Sequence, residues 1–325
     1  MIRLISQEEI MANSTFSGPI RSEGGFQHLA TNSTSGNQIN DKVEITTAGK
    51  LVVHGTNANN TNRSALTSDR YFLTEWFKKR PAINANIDQA YTVEVARAAN
   101  RDFEVLGTNM TTALATFDTT RAGLTITTAG ADQDQAIILP HLDTAFTAWS
   151  GVLWGTENST EWECAVSTNA IDNQKIWAGL KLTNDQLVAT DADQAYFKFQ
   201  TDATNSEAFT DFTLLHFVHS IGGTDYISAL PITVAANTTY HLKVVIDSDR
   251  KATIFVDGTQ YDITTTSGST GGTAVSAVTE GAAAVLSGAL TDDVDFIPYI
   301  GIEAGAAAAE ALDVHYQAIN RIIFE

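Results

Sequence analysis

The stretch Tyr240–Tyr261 constrains this chain most, because apolar side chains recur there at every second position through two closely spaced turns. Tyr240, Leu242, Val244 and Ile246 alternate with His241, Lys243 and Val245. A period of two is that of a strand with one face buried. Asp247-Ser248-Asp249-Arg250 supplies a turn, Thr253-Ile254-Phe255-Val256 returns, and Asp257-Gly258 turns again into Thr259-Gln260-Tyr261. Such a hairpin is marginal by itself and needs further strands and a second layer to bury its apolar face. The chain offers them. From Phe103 on, strands are expected at Phe103–Leu106, Gly123–Thr127, Ala136–Leu139, Trp162–Val166, Ile176–Leu182, Ala195–Phe199 and Phe212–His219. Others follow at Asp225–Leu230, Tyr240–Ile246, Ala252–Val256, Phe296–Ile302 and Leu312–Phe324. Many short strands punctuated by Gly, Asn, Asp and Ser predict a β-sandwich or jelly roll. Residues 264–294, rich in Gly, Ser, Thr and Ala, read as a long flexible excursion.

The N-terminal third is different. Residues 1–40 mix Gly, Pro and Ser with isolated large apolar groups and show neither period, so an extended arm is expected. Residues 41–100 should hold a small β-hairpin around Ala48-Gly49-Lys50, then a helix and linker. Ser68 and Asp69 suit a helix N-terminus, Lys78, Lys79 and Arg80 suit its last turn, and Pro81 stops it. Residues 101–325 would form the sandwich.

At 43% hydrophobic and 18% charged, the 325 residues have globular composition. The net charge of −19 argues against nucleic-acid binding, which leaves a basic footprint. No stretch approaches the ~20 apolar residues of a membrane helix, and residues 1–10 lack the apolar core of a signal peptide. The single cysteine, Cys164, lies in an alternating run and reads as a buried, inert thiol.

Two resemblances add to this reading. Tyr240–Asp247 followed by Ala252–Gly258 resembles the central hairpin of the concanavalin A-like (laminin-G-like) jelly rolls. The fold that this implies is a mainly β, concanavalin A-like sandwich over about residues 100–325, preceded by the arm and the short helix. That fold hosts lectins, hydrolases and structural modules alike. Met11–Phe26, Asp102–Asn109 and Thr127–Thr144 resemble structural proteins of marine and cyanobacterial tailed phages. This second resemblance implies a virion component, a capsid decoration protein or fibre.

Catalytic constellations were sought along the chain. Glu161 and Glu163 share a strand face but lack the rest of the Glu-X-Asp-X-X-Glu pattern of jelly-roll glycosidases. Arg21-Ser22-Glu23 and Tyr196-Phe197-Lys198 resemble two elements of alginate-lyase jelly rolls, with the Gln-Ile/Val-His element missing. His216 and His219, three apart, should face opposite sides of one strand and cannot share a metal. Asp132 with Asp134, and Asp191 with Asp193, could offer oxygens to calcium but read better as solvated turns.

The function expected from sequence is therefore non-enzymatic: a virion structural protein with no cofactor and no metal. Its partners would be other virion proteins, such as the major capsid protein or fibre and tail components, and further copies of itself. Neither nucleic acid nor membrane is expected. Phe16, Ile20, Phe26, Trp76 and Phe77 are the candidate partner-binding residues. Two alternatives stand beside it: a module that recognises a host-surface glycan, and a polysaccharide-cleaving jelly-roll enzyme.

Overall fold

The computed structural model describes residues 26–31, 38–45, 51–55, 63–64, 70–85, 87, 103–117, 123–140, 153–201, 207, 209–279 and 281–322. The chain divides into two compact units, Met1–Asp69 and Arg70–Glu325.

The first unit holds an antiparallel four-stranded sheet. Its strands, in spatial order, are β1 (Phe26–Thr31), β2 (Gln38–Ile45), β3 (Leu51–Gly55) and β4 (Arg63–Ser64). The expected hairpin is β2–β3, with Val43 opposite Val53. Residues 26–31 and 38–40 were expected in the arm but are paired strands, Phe26 lying opposite Val43. Polar residues such as His28, Gln38, Asn40 and Asp41 hide that pairing from a search for apolar alternation. Phe16 and Ile20 lie outside the described residues, as does the side chain of Phe26.

The second unit is a sandwich of two nearly antiparallel sheets. In chain order its strands begin with β5 (Arg70–Glu75), β6 (Ala82–Asn84), β7 (Glu104–Gly107), β8 (Ala115–Phe117), β9 (Leu124–Thr127) and β10 (Gln135–Leu139). They continue with β11 (Trp154–Gly155), β12 (Glu161–Thr168), β13 (Gln174–Lys181), β14 (Gln194–Gln200), β15 (Leu214–Ile221) and β16 (Thr224–Thr233). They close with β17 (Tyr240–Ile246), β18 (Ala252–Val256), β19 (Thr259–Tyr261), β20 (Thr273–Ala274), β21 (Asp295–Ala304) and β22 (Ala311–Ile322). The larger sheet runs β20-β16-β15-β14-β13-β21-β10-β7-β6, with β11 on β21. The smaller runs β19-β18-β17-β12-β22-β9-β8, with β5 on β22. The jelly-roll sandwich expected from the 240–261 hairpin is the fold observed.

The core lies between the sheets. Trp162, Cys164, Leu242, Val244, Ile254 and Val314 of the smaller sheet meet Ile138, Leu180, Phe197, Phe217, Ile300 and Ile302 of the larger. Every second residue of β17 is buried, as its alternation requires. Cys164 is buried, and burial pushes its thiol pKa well up.

Two local expectations fail. The helix over 68–80 is instead the strand β5, paired along β22 with Leu73 opposite Ile319. Its run of aromatics satisfies either period. Leu73 packs against the core while Phe72 and Trp76 face outward, which is the strand solution. The excursion 264–294 is held to the sandwich rather than free: the Ile263 N–H donates to the Val285 carbonyl, Leu290 to Arg250, and Val275 to Ala229.

Candidate functional site

Strand alternation that sends Phe197 and Ala178 into the core sends their neighbours to the other face of the larger sheet. That second face is also buried, and it mixes a second apolar cluster, with Leu106, Ile137, Val218 and Tyr299 among its members, with polar side chains. Its strand register sets the residues in rows. Lys198 lies opposite Trp177 on one side and His216 on the other. Tyr196 lies opposite Gly179 and Val218. Lys175 lies opposite Gln200 and Glu303.

Two glycines shape the floor. A Cβ on Gly301 would collide with the Trp177 ring, and one on Gly179 would meet the Tyr196 backbone at 2.5 Å. Gly179 also has φ +150°. The absent side chain at Gly301 makes room for the Trp177 indole, and the one absent at Gly179 lets the Tyr196 backbone come close.

Lys175, Lys181 and Lys198 are all fully buried, which lysines are only when paired. Lys175 Nζ contacts Glu303 Oε1 at 2.5 Å, and Lys181 Nζ contacts Asp191 Oδ2 at 3.0 Å. Lys198 Nζ is paired with Glu207. Burial pulls the pKa of Lys198 down to about 8 despite Glu207, and lowers that of Lys181 despite Asp191. The Lys181 ammonium sits 4.4 Å from the centre of the Tyr196 ring. Burial raises the Tyr196 hydroxyl pKa well above its ordinary value, and nearby carboxylates raise it further. The ring of His216 lies 4.2 Å from that of Phe209, and neither of its nitrogens has a hydrogen-bond partner among the described residues. Desolvation depresses its pKa to about 4, so the imidazole is neutral.

The face is covered by the β13–β14 connection and by Glu207 and Phe209. Gln186 is the centre of that cover. Lys198 Nζ donates to its carbonyl and to its Oε1, both at 2.7 Å, and the Tyr196 hydroxyl donates to the same carbonyl at 3.3 Å. Asp191 ties the connection by accepting from Thr183 Oγ1 at 2.6 Å. Asp191 and Asp193 are thus buried anchors, not the solvated turns expected. Asp193 accepts from the Gly222 N–H at 3.0 Å, and Asp134 from the Ala131 N–H at 2.7 Å. Among the described residues no group of three His, Cys, Asp or Glu is placed to hold a metal ion.

The other sequence candidates lie elsewhere. Glu161 and Glu163 do share a face of β12, turned outward from the smaller sheet. There Lys243 Nζ meets Glu161 Oε2 at 3.0 Å. His216 and His219 face opposite sides of β15 as expected, and His219 stacks on Tyr226 at 4.6 Å. Phe77, offered as a partner contact, is fully buried edge-on to Phe103 in the sandwich's own core. Trp76 is half exposed and stacked on Tyr316. Tyr196 and Lys198 were visible in sequence only as a short string. His216, Gln186 and Trp177 join them through register, which no spacing along the chain discloses.

No protein-family model and no curated relative matches this sequence. Solved structures do share its fold. One, a protein of unknown function from Shewanella oneidensis, has TM-score 0.43 at 11% identity, over 80% of this chain and 91% of that one. A family 7 alginate lyase, solved in complex with its substrate, has TM-score 0.39 at 13% identity over 67% and 85%. A non-specific endo-β-1,3(4)-glucanase of family GH16 has TM-score 0.41 at 11% identity over 79% and 92%. The virion structural role and the non-enzymatic reading expected from sequence are not supported: the neighbours named are an alginate lyase, a glucanase and a protein of unknown function, and none is a virion component.

Proposed function

We propose that this chain cleaves a uronate-containing polysaccharide by β-elimination on the second face of the larger sheet. The observation that carries the reading is the convergence of Tyr196, Lys198 and His216 in adjoining rows, each buried and each with its pKa displaced. Displaced titratable groups gathered in one place are a mark of functional sites.

The residue types favour elimination over hydrolysis. Hydrolysis needs two carboxyl groups free to act as acid and as base or nucleophile. On this face Glu303, Asp191 and Glu207 are each engaged by a lysine. Elimination needs a cation for the uronate carboxylate, a base for the C5 proton and an acid for the leaving oxygen. Lys198 is the cation. Neutral His216 takes the C5 proton, and the C5–H electrons form the C4–C5 double bond as the C4–O bond breaks. Tyr196, kept protonated by its raised pKa, donates its proton to the departing oxygen. Trp177 offers an indole plane for a sugar ring. Gln186 occupies the positions on Lys198 and Tyr196 that the substrate would take, so the cover must move aside for the chain to enter. Rewetting then raises the His216 pKa toward its ordinary range, where a base is more effective.

The test is a panel of uronate and neutral polysaccharides incubated with the full chain. Expected is an ultraviolet-absorbing unsaturated product from a uronate polymer, lost in Tyr196→Phe and in Lys198→Met. Activity should fall at alkaline pH as Lys198 loses its charge, sooner the more of its burial persists with substrate bound. New reducing ends without unsaturation would assign hydrolysis instead, and no cleavage of any polymer would end the proposal.

A further inference from the structure

The outward face of the smaller sheet carries a second site, formed by residues that the reaction does not use. Its strands place Phe255, Lys243 and Glu163 in one row, because Lys243 pairs with both Phe255 and Glu163. Ala165, which pairs with His241 and Tyr316, marks the next row. Trp76 extends that row: its ring stacks on Tyr316 with centroids 4.9 Å apart and planes 30° apart. The His241 ring lies 6.2 Å from Tyr316. An open groove of about 490 Å³ runs over this face, lined by Glu161, Glu163, His241, Lys243, Phe255 and Tyr316 among others, with Trp76 beside it through its stack on Tyr316. Trp76 remains 52% exposed, so its outer surface is open to a ligand.

The polar groups of the groove limit the occupant. Glu161 is neutralised by Lys243, while Glu163 has no ion-pair partner among the described residues. Carboxylate oxygens accept hydrogen bonds from hydroxyls and repel other anions. Tyr316 keeps its hydroxyl proton, its pKa pushed up to about 12 by burial and by Glu163. An amphipathic ring with an apolar C–H face and an equatorial belt of hydroxyls fits both features, stacking on Trp76 and Tyr316 while its hydroxyls reach Glu163 and Glu161. A polyanion does not fit, since Glu163 lines the groove without an ion-pair partner among the described residues and would repel it. A peptide strand would seek an unpaired sheet edge, whereas this groove crosses the side-chain face of paired strands.

We infer that the groove lined by Tyr316, His241, Lys243, Glu163 and Phe255, and flanked by Trp76 where it stacks on Tyr316, binds a neutral hexose chain, as a holding site separate from the reactive face. The inference goes beyond the proposed cleavage and stands without it, because the two sites lie on different sheets.

The experiment is calorimetric titration of the full chain with cellohexaose, maltohexaose and a galacturonate oligomer. A neutral oligomer should bind and the galacturonate should not compete for it. Trp76→Ala should weaken neutral binding about tenfold or more, as loss of an aromatic platform does, and Phe255→Ala should weaken it less. Tyr196→Phe should leave it unchanged, so an inert reactive face and an empty groove are told apart. The inference is overturned if no neutral oligomer binds, if Trp76→Ala binds as well as the parent, or if only Tyr196→Phe abolishes binding. It is also overturned if the parent sediments as a dimer and Trp76→Ala as a monomer, since the face would then be covered by a second copy.

Discussion

His219 shows how one side chain can set a pH limit on this protein. Its ring is buried between Tyr226 and Phe217, both ring nitrogens lack partners among the described residues, and desolvation lowers its pKa to about 4. Between about 6.5 and 4 the unfolded chain takes up a proton that the folded chain refuses. Stability is therefore complete above 6.5 and falls as the pH drops through that window. The depression corresponds to roughly 3 kcal/mol at its fullest. In His219→Phe the acid slope of the urea midpoint should flatten while the neutral-pH midpoint changes little. An unchanged slope would place the acid sensitivity elsewhere, with His216 the next residue to test. Burying a cationic lysine acts in the same sense at higher pH. The cost at Lys198 is largest below about pH 8 and is relieved as the pH rises from there toward the ordinary lysine range.

At the scale of elements, β13, β14 and β21 join the core to the polar face through the same backbone. Gly301→Ala should therefore be felt on both. The new methyl group would press into the Trp177 ring, at a cost of about 1–3 kcal/mol. The thermal midpoint should fall and the tryptophan fluorescence shift, and an unaltered spectrum would mean that the indole has room to move. The strands themselves were largely legible in the amino-acid order. β17 and β18 have the bounds that alternation predicts. β5 was not legible, because Tyr71, Phe72, Trp76 and Phe77 fit a helical stripe as well as a strand, and the choice is made by β22 some 240 residues away. The candidate site was harder still. Tyr196 and Lys198 are two apart in sequence, but His216 faces Lys198 across a strand pair and Gln186 arrives from the β13–β14 connection. Register and loop path bring these groups together, and neither leaves a local signal.

For the whole molecule, the two compact units and the charge have separate consequences. Residues 70–325 contain both sheets of the sandwich and the apolar core between them, so a fragment of that span should unfold cooperatively near the midpoint of the full chain. A large drop in midpoint would show that residues 1–69 contribute to the sandwich. If the substrate is the uronate polymer proposed above, a chain of net charge −19 meets a like-charged partner. Screening shortens the reach of that repulsion to about 8 Å at physiological ionic strength. Cleavage at low substrate should therefore speed up as salt rises from very low values. Salt-independent rates would argue that the polymer is neutral.

For the reaction proposed above, the double hold of Gln186 on Lys198 and Tyr196 would make the face a two-state object. In its closed state the protein binds its own glutamine where substrate would sit, so only the open fraction is competent. Apparent affinity is then the intrinsic affinity divided by that fraction, and a face open about one part in a hundred would look about a hundredfold weaker than it is. Gln186→Ala removes the side-chain contact to Lys198 and enlarges the open fraction. It should lower KM without a matching change in kcat, making the loop, rather than the sugar contacts, the element that sets the working substrate concentration.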